Sequence, residues 1–134
     1  MTSVVSYLGN LRTESVHISS NEKIVTDAPT DNNGKGEAFS PTDLVASSLS
    51  SCILTVIGIV SKQIKYDLTN TTSSVKKIMG DNPRRIVEIE VKIEFSQSAD
   101  SKKRAIIEKT ALKCPVAKSL HPDIKQNISF IWPD

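Results

Sequence analysis

Ser40-Pro41-Thr42-Asp43-Leu44-Val45-Ala46-Ser47-Ser48-Leu49-Ser50-Ser51-Cys52-Ile53-Leu54-Thr55-Val56-Ile57-Gly58-Ile59-Val60 is the stretch on which the fold turns. It opens as a helix start. Ser40 is a capping residue type, Pro41 suits the first helical position, and Asp43 sits where a carboxylate favours the positive end of the helix dipole. Leu44, Leu49, Ile53, Val56, Ile57 and Val60 then lie on most sides of the helix and need cover. The run approaches the roughly 20 apolar residues of a membrane span. It is broken by Ser47, Ser48, Ser50, Ser51 and Thr55, however, and has no second run like it. The reading is a buried central helix that continues to Gln63, sheathed by other elements, with no membrane partner.

Before this helix, Val4–Leu8 reads as a strand, Gly9-Asn10 as a turn, Leu11–Ile18 as a second strand and Lys23–Thr26 as a short third. Asp27–Phe39, rich in Pro, Asn and Gly, reads as a long loop of the kind that often carries function. After the helix, Val75–Met79 and Arg85–Phe95 flank a turn at Gly80–Pro83. In the second of these, charged residues alternate with Val87, Ile89, Val91, Ile93 and Phe95, the pattern of a half-buried strand. Ser101–Lys113 reads as an amphipathic helix with Ala105, Ile106, Ile107, Ala111 and Leu112 inward. Cys114–Leu120 reads as a short helix, and Asn127–Trp132 as a last strand. The order βββ-α-ββ-αα-β is α+β, one sheet with helices packed on it, in a single domain of residues 1–134.

Composition narrows the function. Seventeen basic and 15 acidic residues leave a formal charge of +2, too balanced to point to nucleic acid or a membrane surface. Aromatics make up only 4%, which argues against a base-stacking platform. The N-terminal residues show no basic flank or long apolar stretch of a signal peptide, so the expected compartment is the cytoplasm, where thiols stay reduced. His17 and His121 stand alone, without a metal-ligand spacing. Asn32-Asn33-Gly34-Lys35-Gly36 lacks the pattern of a phosphate loop. No cofactor is expected.

The chemistry falls to the two cysteines. Cys52 lies in the apolar helix, where burial raises a thiol's pKa unless a cation is brought near. Cys114 directly precedes Pro115, and the free N–H groups of a helix start are expected to lower its pKa. Their separation fits neither a CxxC motif nor a zinc pattern, and the sequence does not show whether they meet. Arg12, just after the first turn, is the candidate cation, read as projecting from a sheet edge into a cleft.

Ser40-Pro41-Thr42-Asp43-Leu44-Val45-Ala46 leading into Ser50-Ser51-Cys52, with Cys114-Pro115-Val116-Ala117 some sixty residues later, resembles the OsmC/Ohr family, in particular its OsmC-like peroxiredoxin branch. The resemblance covers nearly the whole chain. It implies antiparallel sheets packed around buried central helices in an intertwined homodimer, with active sites at the subunit interface. It implies thiol-dependent reduction of organic hydroperoxides, with Cys52 peroxidatic, Cys114 resolving through a Cys52–Cys114 disulfide, and Arg12 steadying the thiolate. An external dithiol would close the cycle. Where well-characterised members carry a glutamate after the opening proline, this chain has Thr42, so Glu37 or Asp43 is the acid available to orient Arg12. The same scaffold admits two other readings, a small-molecule binding module and a thiol redox sensor.

Overall fold

Helix α1 runs unbroken over Pro41–Gln63, 23 residues, in a computed structural model that describes residues 1–134. Its start is closed by a reciprocal cap. The Asp43 amide donates to Ser40 Oγ and the Ser40 amide donates to Asp43 Oδ2, both at 3.0 Å. Leu49, Ile53 and Ile57, four residues apart, form a seam no more than 1% exposed. Two of the polar residues that interrupt the apolar run have partners within the fold. Buried Ser50 shares a hydrogen bond with Ser73, and Thr55 Oγ1 donates to the Ser51 carbonyl at 2.8 Å. By length and composition α1 could cross a membrane, with a mean hydropathy of 2.0, yet its seam belongs to a protein core. The sheath expected around it is incomplete within one chain, because Val45 and Ile59 remain exposed.

By its contacts the chain divides into two compact units, Met1–Val45 and Ala46–Asp134. The first holds β1 (Ser3–Gly9), β2 (Arg12–His17) and β3 (Lys23–Asp27) as an antiparallel sheet with β2 in the middle. The β1–β2 hairpin turns on Asn10 and Leu11, both with positive φ (54° and 64°), the geometry that matches strand twist in a two-residue turn. After β3, a short 3₁₀ turn over Thr30–Asn32 folds the loop back on itself. The Gly36 amide donates to the Ala28 carbonyl at 3.1 Å and the Gly34 amide to the Pro29 carbonyl at 2.9 Å. The Gly-Lys-Gly stretch thus serves close backbone approach: a Cβ at residue 34 would overlap the Ala28 carbonyl, and Gly36 has φ +64°.

The second unit holds β4 (Thr72–Gly80), β5 (Arg85–Glu94) and β6 (Lys125–Ile131). β4 and β5 are antiparallel, whereas β6 lies parallel to β5. The return between them runs through α2 (Ser101–Ala111) and α3 (Pro115–Ser119), as a parallel pairing requires. The α+β class therefore stands with two three-stranded sheets instead of the single sheet read from element order, and the second sheet is mixed. The alternation in β5 is realised: Ile89, Val91, Ile93 and Phe95 are buried and share one core with the α1 seam. Four aromatics close one end of this core. Phe95 and Trp132 stack at 3.7 Å, Tyr66 meets Trp132 edge-on, and Phe130 stacks on Phe95. In α2 the inward set is smaller than expected. Ile107 and Ala111 are buried, but Ala105 is exposed, Ile106 is only half-buried, and Leu112, which caps the helix end, is 56% exposed.

Replacing Gly34 by alanine forces the loop off the Ala28 carbonyl and is expected to cost about 3 kcal/mol, at the upper end for overpacking. Alanine at the open Gly9 position, where nothing lies near the added Cβ, meets only the left-handed backbone penalty of about 1 kcal/mol. Urea denaturation of the two variants measures the difference, and equal midpoints would show that the loop yields freely.

Candidate functional site

The spacing of Ile107, Ala111 and Cys114 keeps one helical face going past the end of α2, and all three side chains are fully buried. Cys114 is then the N-cap of α3, with Pro115 in the first turn as the sequence suggested. Its sulfur accepts a hydrogen bond from the Ala117 amide at 3.3 Å. The Gln126 amide group donates to the Ala117 carbonyl at 2.9 Å and ties α3 to β6. Cys52, on α1, is half-buried and packs against the same core. The two thiols are free and are close enough to act on one another.

The expected low pKa of Cys114 is not found. Burial pushes its thiol up, and the Ala117 and Val116 amides only partly offset this, while neighbouring Cys52 pushes in the same direction as burial. Two N–H groups at a helix start are outweighed by loss of solvent. Cys114 holds its proton.

The first unit carries a separate group of charges. Arg12 begins the middle strand, so it does not project from a sheet edge. Its Nη2 donates to Asp27 Oδ2 at 3.2 Å and to Glu37 Oε2 at 3.3 Å. Of the two acids weighed to orient this arginine, Glu37 pairs with it, and Asp43 takes part in the α1 cap. Asp27 is not singled out in the sequence, where it reads as the first residue of the Asp27–Phe39 loop. It is only 1% exposed, stands opposite Arg12 across β2 and β3, and accepts the Glu37 amide at 3.0 Å. That amide, with the Arg12 guanidinium, holds the Asp27 carboxyl below its ordinary range against the opposing effect of burial. Leu8, Asn10, Arg12, Asp27, Lys35 and Glu37 line a cleft of about 170 Å³. A larger concavity, about 310 Å³, lies on the charged face of the β4–β6 sheet between Lys76, Glu90 and Lys92, and no cysteine lines it.

The model of the OsmC-like protein family matches residues 34–129 of this chain. Among solved structures, a candidate osmotic stress induced and detoxification response protein from Psychrobacter arcticus 273-4 is 53% identical. That match covers 97% of this chain and 95% of the other, with a TM-score of 0.94. An organic hydroperoxide resistance protein from Elizabethkingia anophelis, 17% identical, covers 99% of this chain and 97% of its own, with a TM-score of 0.77. The OsmC organic hydroperoxide resistance protein from Legionella pneumophila, 16% identical, covers 98% and 97% with a TM-score of 0.76. At such identities the last two show a shared fold. No curated protein matches the chain.

The burial difference between the thiols predicts an order of labelling. With iodoacetamide at pH 8, Cys52 is expected to react at least about tenfold faster than Cys114, because the thiolate and access both control the rate. Peptide mass spectrometry on a time course checks this, and Cys114 reacting first would contradict it. The raised Cys114 pKa also sets a pH dependence. Its contribution to stability is complete below the unfolded-state value, 9.0, and is lost as pH rises through the higher folded value. Urea midpoints that fall as pH rises above 9.0, with a shallower fall in Cys114→Ala, are the expected result.

Proposed function

The chain belongs to the OsmC-like protein family, and from that premise we propose that it is a cysteine-based reductase of organic hydroperoxides. The observation that carries the reading is the meeting of Cys52 and Cys114, thiols 62 positions apart in sequence, in one core. Vestigial cysteines on a ligand-binding scaffold have no need to touch.

Cys52 is the attacking residue. It is the more accessible thiol, and Cys114, which holds its proton, can donate its S–H to a Cys52 thiolate. The thiolate sulfur takes the terminal oxygen of the hydroperoxide as the O–O bond breaks. The departing alkoxide picks up a proton and leaves as the alcohol, and Cys52 becomes a sulfenic acid. Cys114 then forms the S–S bond, and its own proton leaves with the sulfenic hydroxyl as water. A proton held on Cys114 is therefore used in the second step. An external dithiol restores the pair by exchange. Arg12 is assigned to steady the thiolate and the peroxide oxygen, a task its planar guanidinium suits better than an ammonium. Residues 1–134 act as one domain, in the reducing cytoplasm, and the cycle uses no cofactor.

We further propose a homodimer. Val5, Tyr7, Leu8 and Ile24 of the first sheet, with Val45 and Ile59 of α1, are exposed in the single chain. Apolar side chains left exposed on the first sheet, and others on a helix otherwise buried in a core, are the kind that an assembly covers.

One equivalent of an organic hydroperoxide is expected to consume both free thiols and yield an intrachain Cys52–Cys114 link by mass spectrometry. Cys52→Ser should abolish hydroperoxide consumption while leaving the fold intact. Turnover retained in Cys52→Ser would move the chemistry elsewhere, and a lasting sulfenic acid beside an untouched Cys114 would remove the resolving role. Light scattering at micromolar concentration is expected to give twice the 14.7 kDa chain mass, and the single-chain mass would refute the dimer.

A further inference from the structure

We propose that Asp27, and not Glu37, is the positioning residue that holds Arg12, an inference that rests on the reading that Arg12 serves the Cys52 thiolate. Both carboxylates lie at almost equal distances from Arg12 Nη2, 3.2 Å and 3.3 Å. Distance does not separate them. Burial does.

Glu37 is 62% exposed and Asp27 1%. An exposed ion pair on a long side chain is weak, mobile and screened by salt. A carboxylate out of water has no such competition, and losing its cation leaves a buried charge alone. Asp27 is also fixed at its own end. It closes β3 directly opposite Arg12, so the two backbones are tied through the β2–β3 ladder. The carboxylate oxygen that meets Arg12 also accepts the Glu37 amide at 3.0 Å, which fastens the following loop to the same point.

The chemistry of the residue supports a role for its charge. Asp27 Oδ1 is buried without a hydrogen-bond partner, a costly state for a carboxylate. An asparagine at this position would still accept the Glu37 amide through its carbonyl and would carry no buried charge. What asparagine would lose is the charged contact to Arg12. A rigid carboxylate behind a guanidinium fixes its plane and leaves its other N–H groups free to point at a reacting oxygen. Asp27 acts only through Arg12 and touches no substrate in this scheme.

The test compares Asp27→Asn with Glu37→Gln. Hindered rotation of the Arg12 guanidinium, read from ¹⁵N NMR of its side chain, reports the anchoring without reference to activity. Asp27→Asn is expected to release that rotation and Glu37→Gln to leave it hindered. With cumene hydroperoxide, Asp27→Asn should lower kcat/KM by about tenfold, the scale of a displaced positioning group. Glu37→Gln should stay within about threefold. A freely rotating Arg12 in Glu37→Gln, or an unchanged one in Asp27→Asn, overturns the proposal. If Asp27→Asn does not fold, Glu37→Gln decides alone: a hindered Arg12 supports Asp27 and a released one refutes it. A wild type that consumes no hydroperoxide refutes the peroxidase reading, and the NMR comparison still decides which acid holds the arginine.

Discussion

The second unit depends on one apolar contact surface, the α1 seam of Leu49, Ile53 and Ile57 sharing a core with Ile89, Val91 and Ile93 of β5. Fully burying each such side chain is worth about 1.5–3 kcal/mol, so six of them outweigh any single polar contact in the unit. This surface also decides where the sulfurs go. Cys52 is carried beside the seam on α1, and Cys114 is brought in by the face of α2 that begins at Ile107. The thiols meet because two apolar faces are buried in the same core, and their own attraction for one another has little part in it.

Local signals in the sequence were legible wherever the physics is local. Ser40, Pro41 and Asp43 announced a cap, and the reciprocal hydrogen bonds between Ser40 and Asp43 are that cap. The charged and apolar alternation of β5 gave its buried face, and Cys114-Pro115 gave the start of α3. Pairing between distant strands was not legible. Nothing in the composition of Lys125–Ile131 says that it joins β5 in parallel or that β1–β3 form a sheet of their own. The inward set of α2 was partly legible. The spacing 107, 111, 114 marks the buried face, while Ala105 and Leu112 fall off it and are apolar without being covered.

The site was less legible than the fold, for an electrostatic reason. A helix start lowers a thiol's pKa and burial raises it, and only the folded chain says how much solvent Cys114 has lost. The same holds for the acids. Glu37 and Asp43 carried the interest in sequence because they lie near the helix start. Asp27 reads in the sequence as the first residue of a loop, whereas the structure makes it the end of β3, opposite Arg12 and out of solvent. Charge is visible in a sequence, and the dielectric around it is not.

That distinction bears on the chemistry proposed here. A thiolate nucleophile and a resolving thiol make opposite demands, since the first must lose its proton early and the second can keep its proton until water departs. Two cysteines in like surroundings would titrate alike and give no order of events. Here Cys114 is the N-cap of a short helix in a dry core, and Cys52 is half-buried on the central helix. This difference in solvent access between two otherwise identical groups is what the proposed roles rest on. The carboxylates beside Arg12 obey the same rule: of two acids at nearly the same distance, the one removed from water can hold a fixed geometry while the exposed one exchanges with solvent and salt. In both places burial, more than residue type or separation, sets what an ionisable group can do.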